Sequence, residues 1–305
     1  NTAVGHDSLN SNTTGTKNVA VGAFALDANT TADNNIAIGY NALSTNTTGE
    51  ANTALGQGAL FANTTAGNNT AVGFIALNAN TTGANNVAVG SNALDANTTG
   101  NKNVAIGKGS LSANTTAHDN TAIGGEALLL NSTGTQNSAV GSNSLAANTT
   151  ASNNTGIGCN ALKVNTTGSE NTATGTNALV ANTTGAGNTA IGKSALETNT
   201  TADNNIAVGK NALQLNSTGT QNVAMGAGSL SANTTADNNT AIGHVALQSN
   251  TTGQQQVAVG ALALDAATTG GLNTAVGYQA MSSSTTAHSS VAVGNAALFS
   301  TTTGE

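Results

Sequence analysis

The pattern of hydrophobic and polar positions along this chain recurs every 17 positions, and nothing interrupts it. One turn of it reads Asn18-Val19-Ala20-Val21-Gly22-Ala23-Phe24-Ala25-Leu26-Asp27-Ala28-Asn29-Thr30-Thr31-Ala32-Asp33-Asn34. Written in rows of 17 from Asn1, the chain stacks into 18 rows, the last one residue short. Each column is named here by its residue in the first row. The Val4 column is apolar except at Thr174, and the Leu9 column is Leu except at Met281. The Ala3 column is Ala except at Gly156. The Gly5 column is Gly and the Thr14 column Thr in every row, whereas the Thr13 column admits Ser132 and Ser217. The Asn1 column departs from Asn only at Gln256 and Ser290. The Asn12 column holds until Ala267, Ser284 and Thr301.

A unit this short cannot hold a helical hairpin, which needs about twice the length. Its β-branched positions, Gly and Asn suit strands and turns instead. The pattern predicts an all-β parallel β-solenoid, or β-roll, in which each row is one coil of a single array over residues 1–305. Two short strands are expected per coil, at positions 2–4 and about 8–10. Eighteen coils at ~4.8 Å each make a rod of about 85 Å. Gly5 and Gly22 open the first turn, where either φ > 0 or close backbone approach demands Gly. Ala32 and its equivalents in the Gly15 column imply that the second turn needs no left-handed residue there. Asn1, Asn12 and Asn29 are placed for side-chain amide ladders, and the hydroxyls of Thr14 and Thr31 for bonds to the turn backbone. Leu9, Leu26 and the Val4 column are the expected core.

That core is thin for the length of backbone each coil must order, which points to a partner. Strand alternation puts Thr2 and Val4 on one face and Ala3 on the other. Both faces are apolar, the pattern of a strand buried on both sides. One face fills the coil. The other, expected to be the small-residue Ala3 face, packs against a second copy, giving a homo-oligomer with a twofold or threefold seam.

Composition narrows the partners. The net charge is −7, and the 6 Lys and Arg residues form no basic patch, against nucleic acid or an anionic membrane surface. Pro is absent, which suits uninterrupted ladders. No apolar run is long enough for membrane insertion. Cys159, the one cysteine, reads as a tolerated small residue in a variable column. With neither signal peptide nor initiator Met, the chain reads as a mature product or a segment of something longer.

Little chemistry is encoded. Asn-x-Ser/Thr sequons recur at Asn12, Asn29, Asn46, Asn63, Asn80, Asn97, Asn114, Asn131, Asn148, Asn165, Asn182, Asn199, Asn216, Asn233 and Asn250. Three more, at Asn68, Asn153 and Asn238, lie five coils apart. These are candidate glycosylation sites in a secretory route, or simply a turn ladder. Regular Thr columns suggest ice binding, but adjacent Thr13 and Thr14 cannot share one face of a strand. His6, His118, His244 and His288 are scattered, and no nucleophile, base or metal set recurs, so neither cofactor nor catalysis is expected. Phe24, Tyr40, Phe61, Phe74, Tyr278 and Phe299 occupy variable turn columns, where they are candidate contacts for a receptor or sugar.

A longer rhythm overlies the coils. Ala replaces Gly in the Gly15 column at spacings of two and three coils in turn, a five-coil super-repeat that reads as block duplication.

The runs Asn18-Val19-Ala20-Val21-Gly22, Asn86-Val87-Ala88-Val89-Gly90 and Ser290-Val291-Ala292-Val293-Gly294 resemble the head repeats of trimeric autotransporter adhesins. The fuller Asn-Thr-Ala-Ile-Gly…Ala-Leu…Asn-Thr-Thr-Gly form resembles repeats of phage tail-fibre and surface-fibre proteins. The resemblance covers all 18 coils, each a little longer at its second turn than the adhesin repeat. It implies a left-handed β-roll, three chains together, on a cell surface or virion. The expected function is an extracellular structural and adhesive fibre shaft. A glycan-coated filament is the alternative, and an ice-binding solenoid a lesser one.

Overall fold

The computed structural model describes residues 1–303. All regular structure among them is strand, in 18 short pieces that recur once per coil, so the chain is a parallel β-solenoid. It divides into two compact units, residues 1–153 and 154–305. The first carries β1 (Thr2–Val4) through β9 (Ser138–Val140), and the second β10 (Thr155–Ile157) through β18 (Val291–Val293). Within each unit, like residues pair. In the first, β7 (Val104–Ile106) lies parallel to β8 (Thr121–Ile123), with Val104 opposite Thr121, Ala105 opposite Ala122 and Ile106 opposite Ile123.

Outside the strands the coils still bond to one another. The N–H of Leu26 donates to Ala42 O (3.1 Å), that of Ala28 to Ser44 O (3.0 Å) and that of Thr30 to Thr47 O (3.2 Å). Backbone donors thus find acceptors one coil away even where the chain is turning.

The strand expected at positions 8–10 is absent. Two tight turns occupy this stretch, closed by Ala25 N–H to Gly22 O and by Asn29 N–H to Leu26 O, both at 3.3 Å. Phe24 (φ 57°), Leu26 (φ 53°) and Asn34 (φ 61°) are left-handed, and the same three columns are left-handed along the chain. A left-handed Leu costs about 1–2 kcal/mol. Complete burial of a Leu side chain contributes about 1.5–3 kcal/mol. Leu26 is fully buried, so burial outweighs the backbone penalty and the turn is held.

The strand faces are reversed relative to expectation. Ala105 is 0% exposed and lines the coil interior, while Ile106 is 38% and Ile157 42% exposed. The Val4 column is therefore outside the core, and the Ala3 column is not an interface. The physical reason is width. The coil of Ala105 already encloses Leu111, Ser110 and the side chains of Asn103 and Asn114, all buried. A methyl group completes that space, and a Val or Ile would overfill it.

The Gly5 column behaves as expected on both counts. Gly22 has φ 131°, and a Cβ there would lie 2.6 Å from Gly39 O in the next coil. Ala32 is buried without positive φ, as its place in the second turn required.

Candidate functional site

Two sheet-facing columns and one turn edge are available for contact. The Thr2 and Val4 columns project outward from the nine strands of each unit and contain no charged residue. Ile36, Ile38, Leu55 and Ile123 in the first unit, and Ile191 and Met225 in the second, are among the exposed apolar side chains of these columns. Parallel sheets are ordinarily covered on both faces, so exposing the aliphatic Val4 column is a departure with a physical cost.

The Asn columns form the ladders their spacing implied, and they form them inside the coil. Asn29 Nδ2 donates to Asn12 Oδ1 (2.8 Å) and to Ala32 O (3.2 Å). Asn97 Nδ2 donates to Asn80 Oδ1 (2.9 Å) and Gly100 O (3.0 Å), while its own oxygen accepts from Asn114 (2.9 Å). The Asn1 column forms a second ladder, in which Asn18 Oδ1 accepts the N–H of Asn35 (2.9 Å) and Asn18 Nδ2 donates to Ala32 O (2.8 Å). From Asn29 to Asn250 every sequon Asn of the Asn12 column is fully buried. Where both amide hydrogens are already donated, as in Asn29 and Asn97, no room is left for a glycan on the folded coil. Asn68, Asn153 and Asn238 differ. They sit exposed at left-handed turn positions (φ 61°, 62° and 60°).

The Thr columns exchange roles with those expected. The hydroxyl bonds come from the Thr13 column, as in Thr13 Oγ1 to Thr30 O (2.9 Å) and Thr98 Oγ1 to Thr115 O (3.0 Å). Ser satisfies the same bond at Ser217, which donates to Thr234 O at 2.9 Å. Thr14 and Thr31 instead point outward and are exposed. Nothing in the structure explains why that column is Thr in every row.

A capping column also emerges that the sequence reading missed. Asp33 accepts the Thr16 N–H (2.6 Å) and hydroxyl (3.0 Å) across coils. Asp203 accepts the Ala186 N–H (2.7 Å), and His118 Nδ1 the Asn101 N–H (3.0 Å). His288 Nδ1 accepts the Gly271 N–H at 3.2 Å. These side chains occupy one exposed column and satisfy one recurrent backbone donor, which gives two of the four histidines a structural role. The backbone bond from Thr16, then its hydroxyl, hold Asp33 below the usual carboxylate value of 3.8. Asp95 is pushed up by burial, and one of its carboxylate oxygens lies buried without a partner. Among the described residues, no three His, Cys, Asp or Glu gather as metal ligands, and Cys159 is exposed and unpaired.

The aromatic candidates fall into two groups. His6 and Phe24 meet edge-to-face at 5.3 Å, and Phe24 and Tyr40 at 6.1 Å. Phe74 is half-exposed near them in sequence, and Phe61 shares an open notch of about 280 Å³ with Tyr40. Tyr278 and Phe299 are exposed in the second unit, apart from any such group. No protein-family model matches this chain, and neither does any curated protein.

Proposed function

We propose that this chain is an extracellular fibre shaft that works as a rigid, repetitive spacer and associates with further copies of itself. One observation carries the reading: the uncharged outer face of a parallel sheet leaves the aliphatic side chains of the Val4 column exposed beside a mixed column of Thr, Ser, Val and Ile. At ~4.8 Å per strand, nine strands give each unit about 43 Å of such face. A strip about 10 Å wide then offers roughly 400 Å² per unit, about half the ~800 Å² per partner of a standard interface. A second copy is the natural cover, because it brings the same uncharged surface at the same strand spacing. Three chains together accord with the resemblance to adhesin heads and tail fibres. Repeated identical surfaces then give multivalent contact with a receptor.

The test is native mass by light scattering. A species near three times 29.4 kDa supports the reading, and a stable folded monomer overturns it. The glycan-coated alternative is disfavoured by the buried Asn12 column. N-linked sugars there would disrupt the ladder that holds the coil closed.

A further inference from the structure

We infer that the notch between Tyr40, Gly58 and Phe61 binds the ring of a neutral sugar, which deepens the adhesive part of the proposed function and rests on it. The chain has 4 Phe and 2 Tyr, and Phe24, Tyr40, Phe61 and Phe74 all fall within residues 1–85. The coils are near copies, so this gathering on one stretch of one turn edge is a feature of these coils alone.

Gly58 lines the notch. It occupies a left-handed position (φ 65°) that carries Asn41 in the coil before and Ile75 in the coil after. Gly109 and Gly228 take the same backbone form at φ 65° and 68°. Their N–H groups bond back to Ser91 and Lys210, whereas that of Gly58 bonds to Tyr40, at 3.0 Å in each case. A Cβ at Gly58 would lie 3.3 Å from Asn78 Nδ2 and from Ile75 Cγ2, two side chains that line the same space as Tyr40. Phe61 lines the same space of about 280 Å³. Asn78 Nδ2 donates to Gly58 O at 2.8 Å, which fixes its amide in the wall. Asn41 and Gln57 contribute two more amides, and no charged side chain lines the notch.

This combination selects a ligand chemistry. Ring faces favour the C–H face of a pyranose, and amides match hydroxyls because each both donates and accepts. An ionic ligand meets no counter-charge. The volume of about 280 Å³, just below the usual range of drug-sized sites, suits one hexose rather than a long peptide.

The chain has no Trp, so Tyr278→Phe leaves Tyr40 as the single tyrosine reporter. That variant is titrated with gluco-, galacto- and manno-configured methyl glycosides while tyrosine fluorescence is followed. At least one glycoside is expected to saturate in the millimolar range. Phe61→Ala should weaken it at least fivefold. Gly58→Asn, which installs the residue the previous coil carries, should abolish it with the circular dichroism spectrum unchanged. The proposal is overturned if no glycoside saturates, if Phe61→Ala binds like its parent, or if a neutral tripeptide saturates and the glycosides do not. Native mass of the same variant separates the two claims: copies that associate without binding sugar sink the notch and leave the shaft reading standing.

Discussion

At the scale of single residues, the buried Asn ladder and the Gly5 column are the least replaceable parts of the coil. Asn97→Ala removes a donor to Asn80 and Gly100 and an acceptor for Asn114. Equilibrium denaturation should show a loss of about 2–4 kcal/mol, the penalty for stranding buried polar groups. Gly107→Ala would put a Cβ 2.5 Å from Gly124 O, and backbone cannot yield as a side chain does. It should cost about 3 kcal/mol or more. The Thr pair gives a finer contrast. Thr98→Ala deletes a cross-coil bond and should cost about 1 kcal/mol, whereas Thr99→Ala on the outside should cost less than about 0.5 kcal/mol. Asp95 supplies a pH test. Burial raises its pKa in the fold, so its protonated form is the stabilised one. That contribution is fully present below the usual value of 3.8 and is lost as pH rises through the raised value. Asp95→Asn should therefore raise the denaturation midpoint at neutral pH, with the gain shrinking in acid. Asp33 has the opposite sign. Its stabilisation is present at neutral pH and lost as pH falls through its lowered value.

At the scale of the strand, the alternation was legible but not its direction. Val-Ala-Val and Thr-Ala-Ile are apolar on both sides, so period alone leaves two assignments open. Interior width decides between them, and width depends on what the other columns put inside. Ala105→Val should cost about 1–3 kcal/mol by overpacking. Ile106→Ala, on the outer face, should cost under about 1 kcal/mol in a dissociated chain. The left-handed Leu9 column was hidden for a different reason. Leu carries no turn signal, and its backbone is set by the burial of its side chain. The left-handed turn at Asn34, Asn68 and Asn85 was readable in principle, because Asn tolerates that conformation.

At the scale of the whole molecule, self-association and folding route make separate predictions. Ile106→Lys with Ile123→Lys should lower the native mass while leaving the coil folded, since both side chains sit on the outer face. A retained mass would place the interface elsewhere. Synthesis through a eukaryotic secretory route should modify Asn12-type sequons before the chain folds. The secreted product is then expected to be heavily glycosylated and to lack the β signature of chain made in a bacterial cytosol. A folded product with sugar only at Asn68, Asn153 and Asn238 would show that coils close before transfer.

The period, the parallel stacking of like residues, the Gly5 requirement and the Asn ladders were determined by the sequence alone. Each follows from what one residue type must do when it recurs every 17 positions. The inward Ala3 face, the left-handed Leu turn, the capping column of Asp33 and His118, and the notch at Gly58 were decided only by the tertiary structure. These depend on the space left by other columns and on what neighbouring coils bring within reach, and no single row of the repeat contains that information.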